Sequence, residues 1–254
     1  GAEAVLPAGF GLRDHARAAI QSLSHDVARR RVYTHTGWRH TNDGWVYLHG
    51  RGAIGVTDGC ALETRLPAPL ARSELPDPPV GHALHTCVRA SLGLVGAGGP
   101  PAAIVFPLYA AIWRAVLAPA DFSIHLSGPT GVFKSELAAL AQQHWGPGLD
   151  ARHLPGAWSS TGNSLEGLAF HAKDAIVVVD DFAPHGTTND VQRMHRDADR
   201  VLRAQGNQAG RQRMRADTML RPAKPPRGLI VATGEEIPHG QSLRARVLVL
   251  DVAP

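Results

Sequence analysis

Hydrophobic residues recur along this chain with two different periods, and the changes of period divide it into regions. Between Arg13 and Arg31 they stand at helical spacing, with Ala16, Ala19, Ile20, Leu23 and Val27 on one face, so the first element reads as an amphipathic helix. Aromatic and polar residues then alternate through VYTHTGWRHTNDGWVYLHGRGAIGV, which predicts strands joined by a tight turn at TNDG. A proline-rich stretch, LPAPLARSELPDPPVG, reads as a linker or a meandering surface loop. Helical spacing returns over about 81–94 and 101–117, on either side of GAGGPP.

From Asp121 the character changes. DFSIHLSG is a short strand, KSELAALAQQHW a helix, and NSLEGLAFHA a second helix capped by Asn163 or Ser164. DAIVVVDDF is a continuous β-branched run of the kind buried on both faces of a sheet. NDVQRMHRDADRVLRAQ is helical, and RGLIVATGE and RARVLVLDV are two more strands. Strands alternating with helices predict an α/β fold with a mainly parallel sheet flanked by helices. The expected organisation is a smaller α+β region with its linker over 1–80, a helical connector over 81–120, and the α/β core over 121–254.

With 254 residues, 44% of them hydrophobic and 19% charged, the chain can bury a substantial core and is not disordered throughout. Its most apolar window, AAIVFPLYAAIWRAVLAP, is interrupted by Pro107 and Arg114. That window is short of the roughly 20 apolar residues that span a bilayer, so it reads as a buried helix. The first residues lack a basic start followed by an apolar block, so no secretory signal is read and the expected location is cytoplasmic, away from membranes. Cys60 and Cys87 are the only cysteines, and there is no C-x-x-C or H-E-x-x-H spacing among them and the 14 histidines. The sequence therefore predicts neither a disulfide framework nor a zinc site, and His35, His40 and His49 read as solvated or core residues.

Charge adds a second signal. Ten Lys and Arg against three Asp fall between Val191 and Arg227, a local balance of +7 in a chain of net charge +4. Positive charge gathered in one stretch suits a surface that meets a polyanion, although a solvated helix face followed by a basic loop has the same composition.

SGPTGVFKSELAALAQ, from Ser127 to Gln142, nearly matches the phosphate-loop pattern G-x-x-x-x-G-K-[ST]. Gly128, Lys134 and Ser135 stand at the required offsets, and Phe133 takes the place of the second glycine. In such a loop the main chain of Gly128, Pro129, Thr130, Gly131, Val132 and Phe133 and the helix N-terminus surround phosphates. Lys134 neutralises them, and the Ser135 hydroxyl helps to hold magnesium. Asp180 and Asp181 end the buried strand that follows, where the first can hold magnesium and the second can prepare the attacking water. Thr233 ends the next strand, with Glu235 and Glu236 behind it. Arg244 and Arg246 can stabilise charge on a transferred phosphoryl group. Glu166 can assist, or can be a helix-surface residue. Together these residues predict a P-loop NTPase of RecA/AAA+-like kind with ATP and magnesium as cofactors.

Taken together the segments resemble the bacterial domain-of-unknown-function 927 family, helicase-related ATPases associated with primases on mobile elements. The resemblance rests on TGWRHTNDGWVYLHGRGAIG, GPTGVFKSELAALAQQHWG, WSSTGNSLEGLAFHAKDAIVVVDDF, RAQGNQAGRQRM and ATGEEIPHGQSLRARVLVLD. It implies phosphate and magnesium binding by Lys134 and Ser135, an acidic pair of Asp180 and Asp181, and an arginine finger at Arg246. The chain departs from the family at Phe133, where glycine is usual, and at Asp181, where related ATPases carry glutamate. The function expected is an ATP-hydrolysing module of helicase type. It assembles as a homo-oligomeric ring on single-stranded DNA, contacted by Arg211, Arg213 and Arg215, with a primase as a possible partner. The alternatives are a nucleotide-dependent switch or scaffold with little turnover, and a small-molecule kinase. Trp38, Trp45 and Tyr47 are either core residues or a base-stacking platform.

Overall fold

The computed structural model describes residues 9–24, 31–56, 62–96, 101–214 and 218–253. It divides into two compact units, Gly1–Arg31 and Val32–Pro254. The first carries α1 (Leu12–Leu23), an amphipathic helix with no buried residue within its unit. The part of the expected helix beyond Ser24 lies largely outside the described residues.

The second unit opens with β1 (Val32–Tyr33), followed by β2 (Gly37–Thr41), β3 (Gly44–His49), β4 (Gly52–Ile54) and β5 (Glu63–Thr64). β2, β3 and β4 form a three-stranded antiparallel sheet whose first turn falls at Asn42–Asp43, as the alternation predicts. Two helices follow, α2 (Gly81–Gly96) and α3 (Ala102–Leu117), the latter with Pro107 inside it.

The core then alternates strand and helix. In order come β6 (Ser123–Ser127), α4 (Lys134–Gln142), β7 (Gly156–Ala157), α5 (Gly162–His171), β8 (Ile176–Phe182) and α6 (Thr188–Gly206). A short ribbon of β9 (Arg213–Met214) and β10 (Leu220–Arg221) precedes β11 (Leu229–Gly234), α7 (Gln241–Arg244) and β12 (Val247–Asp251). The five long-range partners lie in the order β12-β6-β11-β8-β7, and every pairing is parallel. β11 is buried along its whole length, which explains why its sequence is a continuous apolar run and not an alternating one.

Each face of this sheet has its own hydrophobic layer. Ile176 and Val178 of β8 pack with Leu108 and Ile112 of α3 and Ala138 of α4. Val177 and Val179 pack on the other side with Leu165 of α5 and Val201 and Leu202 of α6. α5 begins one residue earlier than its expected cap. Thr161, not Asn163 or Ser164, is the N-cap, and its hydroxyl accepts the Ser164 amide at 3.3 Å.

The three-stranded sheet is fastened to the turn before β8. The Tyr47 hydroxyl donates to the Asp174 carbonyl at 2.8 Å and accepts from Trp145 Nε1 at 2.6 Å. The Trp38 amide donates to Asp174 Oδ2 at 2.9 Å. Gly37, at φ 94°, lies so close to this turn that an added Cβ would stand 2.4 Å from the Lys173 carbonyl oxygen. Tyr47 is accordingly a core residue. Trp38 is held by a bond from its indole nitrogen to the Val116 carbonyl at 3.0 Å, and Trp45 is exposed.

Candidate phosphate site

β6 delivers the chain to the edge of a cleft at the C-terminal end of the parallel strands. Gly128 follows directly, and a Cβ there would come within 2.3 Å of the Val252 carbonyl oxygen, so the loop can leave the sheet only as glycine. Gly131 turns the loop at φ 91°, a conformation that favours glycine. Val132 points inward against the hydrophobic layer beneath α3 and α4. Phe133 closes the loop at φ 60°, ψ 26° and immediately precedes the first turn of α4. It has therefore kept the left-handed backbone that a glycine would adopt, at a cost of about 1–2 kcal/mol for an L side chain. Its ring is 74% exposed and does not plug the turn.

The first amides of α4 lack helical partners and face the cleft. Lys134 curls back over the loop, donating from Nζ to the carbonyls of Gly128 at 2.8 Å and Pro129 at 2.6 Å. Ser135 Oγ donates to Asp180 Oδ1 at 2.7 Å, and Thr233 Oγ1 donates to the same oxygen at 2.5 Å. The Asp181 amide in turn donates to Thr233 Oγ1 at 3.1 Å. One carboxylate oxygen thus ties the loop helix, the acidic strand and the strand between them.

Asp180 and Asp181 owe their placement to a bulge. Val179 pairs with Ala232 and Phe182 with Gly234, so two residues of β8 stand opposite Thr233 alone. Asp181 takes up the extra length at φ 66°. The displacement leaves Asp180 on the α4 side, facing Ser135, and brings Phe182 to the opposite side, where it is fully buried against Trp158. Sequence reasoning sees the two acids and not the bulge, because an αL aspartate leaves no mark in a strand-like run.

The cleft has a volume of about 290 Å³ and is lined by Thr130, Lys134, Ser135, Asp181, Thr233 and Glu235 among others. Glu235, mentioned in the sequence reading only for its position, accepts a short hydrogen bond from the Thr130 hydroxyl. Beneath the cleft His125, wholly buried in β6, binds the Glu236 carbonyl oxygen through Nε2 at 2.8 Å. Burial holds its pKa below the ordinary histidine value, the Glu236 carbonyl opposes this, and the Lys134 charge adds to it.

Other expected site residues lie elsewhere. Glu166 is buried on α5 with Oε1 3.0 Å from Arg200 Nε; it is neither a surface residue nor part of the cleft. Arg246 donates from Nε to Asn207 Oδ1 at 3.0 Å and from Nη1 to the Ser242 carbonyl and hydroxyl, both at 2.7 Å. Its carbonyl accepts the Ser123 amide. It therefore stands at the start of β6, about 15 Å along the strand from the phosphate loop. Arg244 ends α7 on the same side. Arg211 is exposed, Arg213 lies in β9, and Arg215 falls outside the described residues. In α6, three arginines already have acidic neighbours: Arg193 with Asp190, Arg200 with Asp197, and Arg203 with Asp199.

The structure of the active helicase Cch of SCCmec type IV is similar to 95% of this chain, with a TM-score of 0.51 and 13% identity. The fold is that of a P-loop NTPase. The chain spans 44% of the length of that helicase structure. JCV helicase, at 17% identity, TM-score 0.38 and 68% of this chain against 46% of its own, is a more distant likeness. So is NtrX from Brucella abortus in complex with ADP, at 18% identity, TM-score 0.33, and 67% of this chain against 40% of its own. No protein-family model matches the chain. No curated protein matches it. Among the described residues no helix is long and apolar enough to cross a membrane.

Proposed function

We propose that this chain is a nucleotide-binding module of helicase type that hydrolyses ATP and acts on single-stranded DNA as a homo-oligomeric ring. The observation that carries the reading is the convergence of Ser135 and Thr233 on Asp180 Oδ1 beside Lys134. In the nucleotide-bound state the Lys134 ammonium exchanges the two loop carbonyls for phosphate oxygens. Ser135 Oγ and Asp180 offer the hard oxygen donors that suit magnesium, which supplies charge neutralisation across the outer phosphates when bound. Of the carboxylates on the cleft wall, Asp181, Glu235 and Glu136, Asp181 is assigned to take a proton from the attacking water.

Arg244 or Arg246 would reach a neighbouring subunit's cleft, Arg246 only after giving up its bonds to Asn207 and Ser242. An arginine supplied in this way typically contributes ~10³–10⁵ in rate. The DNA contacts are assigned to the ribbon β9–β10 and its approach, with Arg211, Arg213, Arg215 and Arg221. The Arg211 and Arg221 side chains line a small hollow with Lys224 and with Glu166, the partner of Arg200. The resemblance to the 927 family supports a place in mobile-element replication beside a primase.

The deciding experiment compares ATP turnover, with and without single-stranded DNA, for the wild type and Lys134→Ala. DNA-stimulated turnover that the variant lacks supports the module as a motor. A background rate equal in both, with ATP binding retained by the wild type, transfers support to a nucleotide-dependent switch. Phe133, which keeps a side chain at the mouth of the cleft, and the short Asp181 are the observations that favour this second reading.

A further inference from the structure

Outside the phosphate cleft, three metal-capable side chains from distant parts of the chain converge. His195 belongs to α6, and Glu236 and His239 lie in the loop after β11. One nitrogen of each imidazole and one oxygen of the carboxylate all lie within 4.8 Å of one another. The two rings are stacked, with centroids 4.2 Å apart and planes 13° from parallel. The His239 amide donates to His195 Nδ1 at 3.3 Å, at the long end of hydrogen-bond geometry.

The group has a buried floor and an exposed rim. Phe182, fully buried, meets the His195 ring edge-on at 5.2 Å. The Glu236 main chain is pinned through its carbonyl to His125. His195 is half-buried, whereas the Glu236 and His239 side chains are exposed. Ligand atoms around a four-coordinate zinc-class ion stand about 3.4 Å apart, given bonds of about 2.0–2.1 Å. The present spacing is therefore wider than a filled site by no more than about 1.4 Å, within the reach of rotations of the two exposed side chains.

We propose that His195, Glu236 and His239 form a binding site for a transition-metal dication of the zinc class, separate from the cleft's magnesium position. Two imidazoles with one carboxylate make a donor set for zinc, cobalt or nickel. Magnesium prefers all-oxygen surroundings and is not expected to compete. Bound metal would clasp the loop after β11 to α6. Glu235, one residue before the ligand Glu236, would then be held against Thr130 of the phosphate loop. The site stands on this cluster alone and does not depend on ATP hydrolysis.

The full chain is stripped with a chelator and titrated with Co²⁺ in the presence of millimolar Mg²⁺, reading the visible absorption of the protein-bound ion. The expected result is saturation at one equivalent and displacement by Zn²⁺. His239→Gln and Glu236→Gln should each weaken Co²⁺ binding at least tenfold while their circular dichroism matches the wild type. A control at a remote surface histidine, His82→Gln, should bind as the wild type does. Absence of saturable Co²⁺ binding, or equal affinity in His239→Gln and the wild type, overturns the assignment.

Discussion

Ser135 and Asp180, 45 positions apart in the chain, meet side chain to side chain at 2.7 Å. That contact fixes the start of α4 to the end of β8, so the hydroxyl and the carboxylate are in place before any ligand arrives. Asp180→Asn keeps an oxygen that can accept from Ser135 and Thr233 but removes the charge. Magnesium-dependent ATP affinity should fall about tenfold or more, ~1.4 kcal/mol, while stability changes by no more than about 0.5 kcal/mol. Asp180→Ala should also destabilise the fold by about 1–3 kcal/mol, because two hydroxyls lose their acceptor. Nucleotide titration and urea unfolding of both variants check this.

Phe133 pays for a left-handed backbone with a side chain that buries little. Phe133→Gly relieves about 1–2 kcal/mol of strain and returns roughly 0.5–1 kcal/mol of chain entropy to the unfolded state. The net expectation is a gain in stability of up to about 1.5 kcal/mol with the cleft intact. Phe133→Ile, β-branched at the same φ, should lose stability relative to the wild type. Denaturant midpoints of the three proteins give the order Gly, Phe, Ile.

Gly37 sets how closely the three-stranded sheet approaches the turn before β8. Gly37→Ala would place a Cβ against the Lys173 carbonyl and force φ 94° on an L residue. A loss of about 2 kcal/mol or more is expected, from strain and from displaced bonds at Asp174. Hydrogen exchange should show faster exchange of the Trp38 amide, which donates to the Asp174 carboxylate, with the core strand β11 unchanged.

Stability should fall as the pH drops below neutrality. His125 has a pKa held below the usual 6.5, first by burial. His35, His49 and His171 are also lowered, in each case first by burial. Above pH 6.5 these groups are neutral in both the folded and the unfolded chain. Below it the unfolded chain takes up protons that the folded one refuses, so stability declines towards the lowered folded pKa values. Melting temperatures at pH 8 and pH 5.5 in metal-free buffer should show this decline, and His125→Gln should make it shallower.

The features legible in the sequence were those encoded locally. The turn at Asn42–Asp43, the loop from Gly128 to Ser135 and the buried runs of β8 and β11 each follow from a few neighbouring residues. The sheet order was not legible, because helical crossovers of similar length can place β6 either between its partners or at an edge. Arg246 read as a candidate arginine finger because its bonds to Asn207 and Ser242 form only in the folded chain. Glu166 read as a catalytic helper or a surface residue because its partner Arg200 comes from the next helix. His195 and His239, 44 positions apart in the numbering, carry no spacing signature at all.

The additional residue opposite Thr233 acts as a phase shift along β8. Residues before it and after it obey the same alternation with opposite parity. Exchanging either aspartate for another side chain leaves that parity untouched. Deleting one would swing the Phe182 ring away from Trp158 and towards Ser135, emptying a packed site on one face while obstructing the cleft on the other. Chain length at this point therefore constrains hydrophobic packing and phosphate chemistry together, and a natural variant that shortened it would have to rebuild both faces at once.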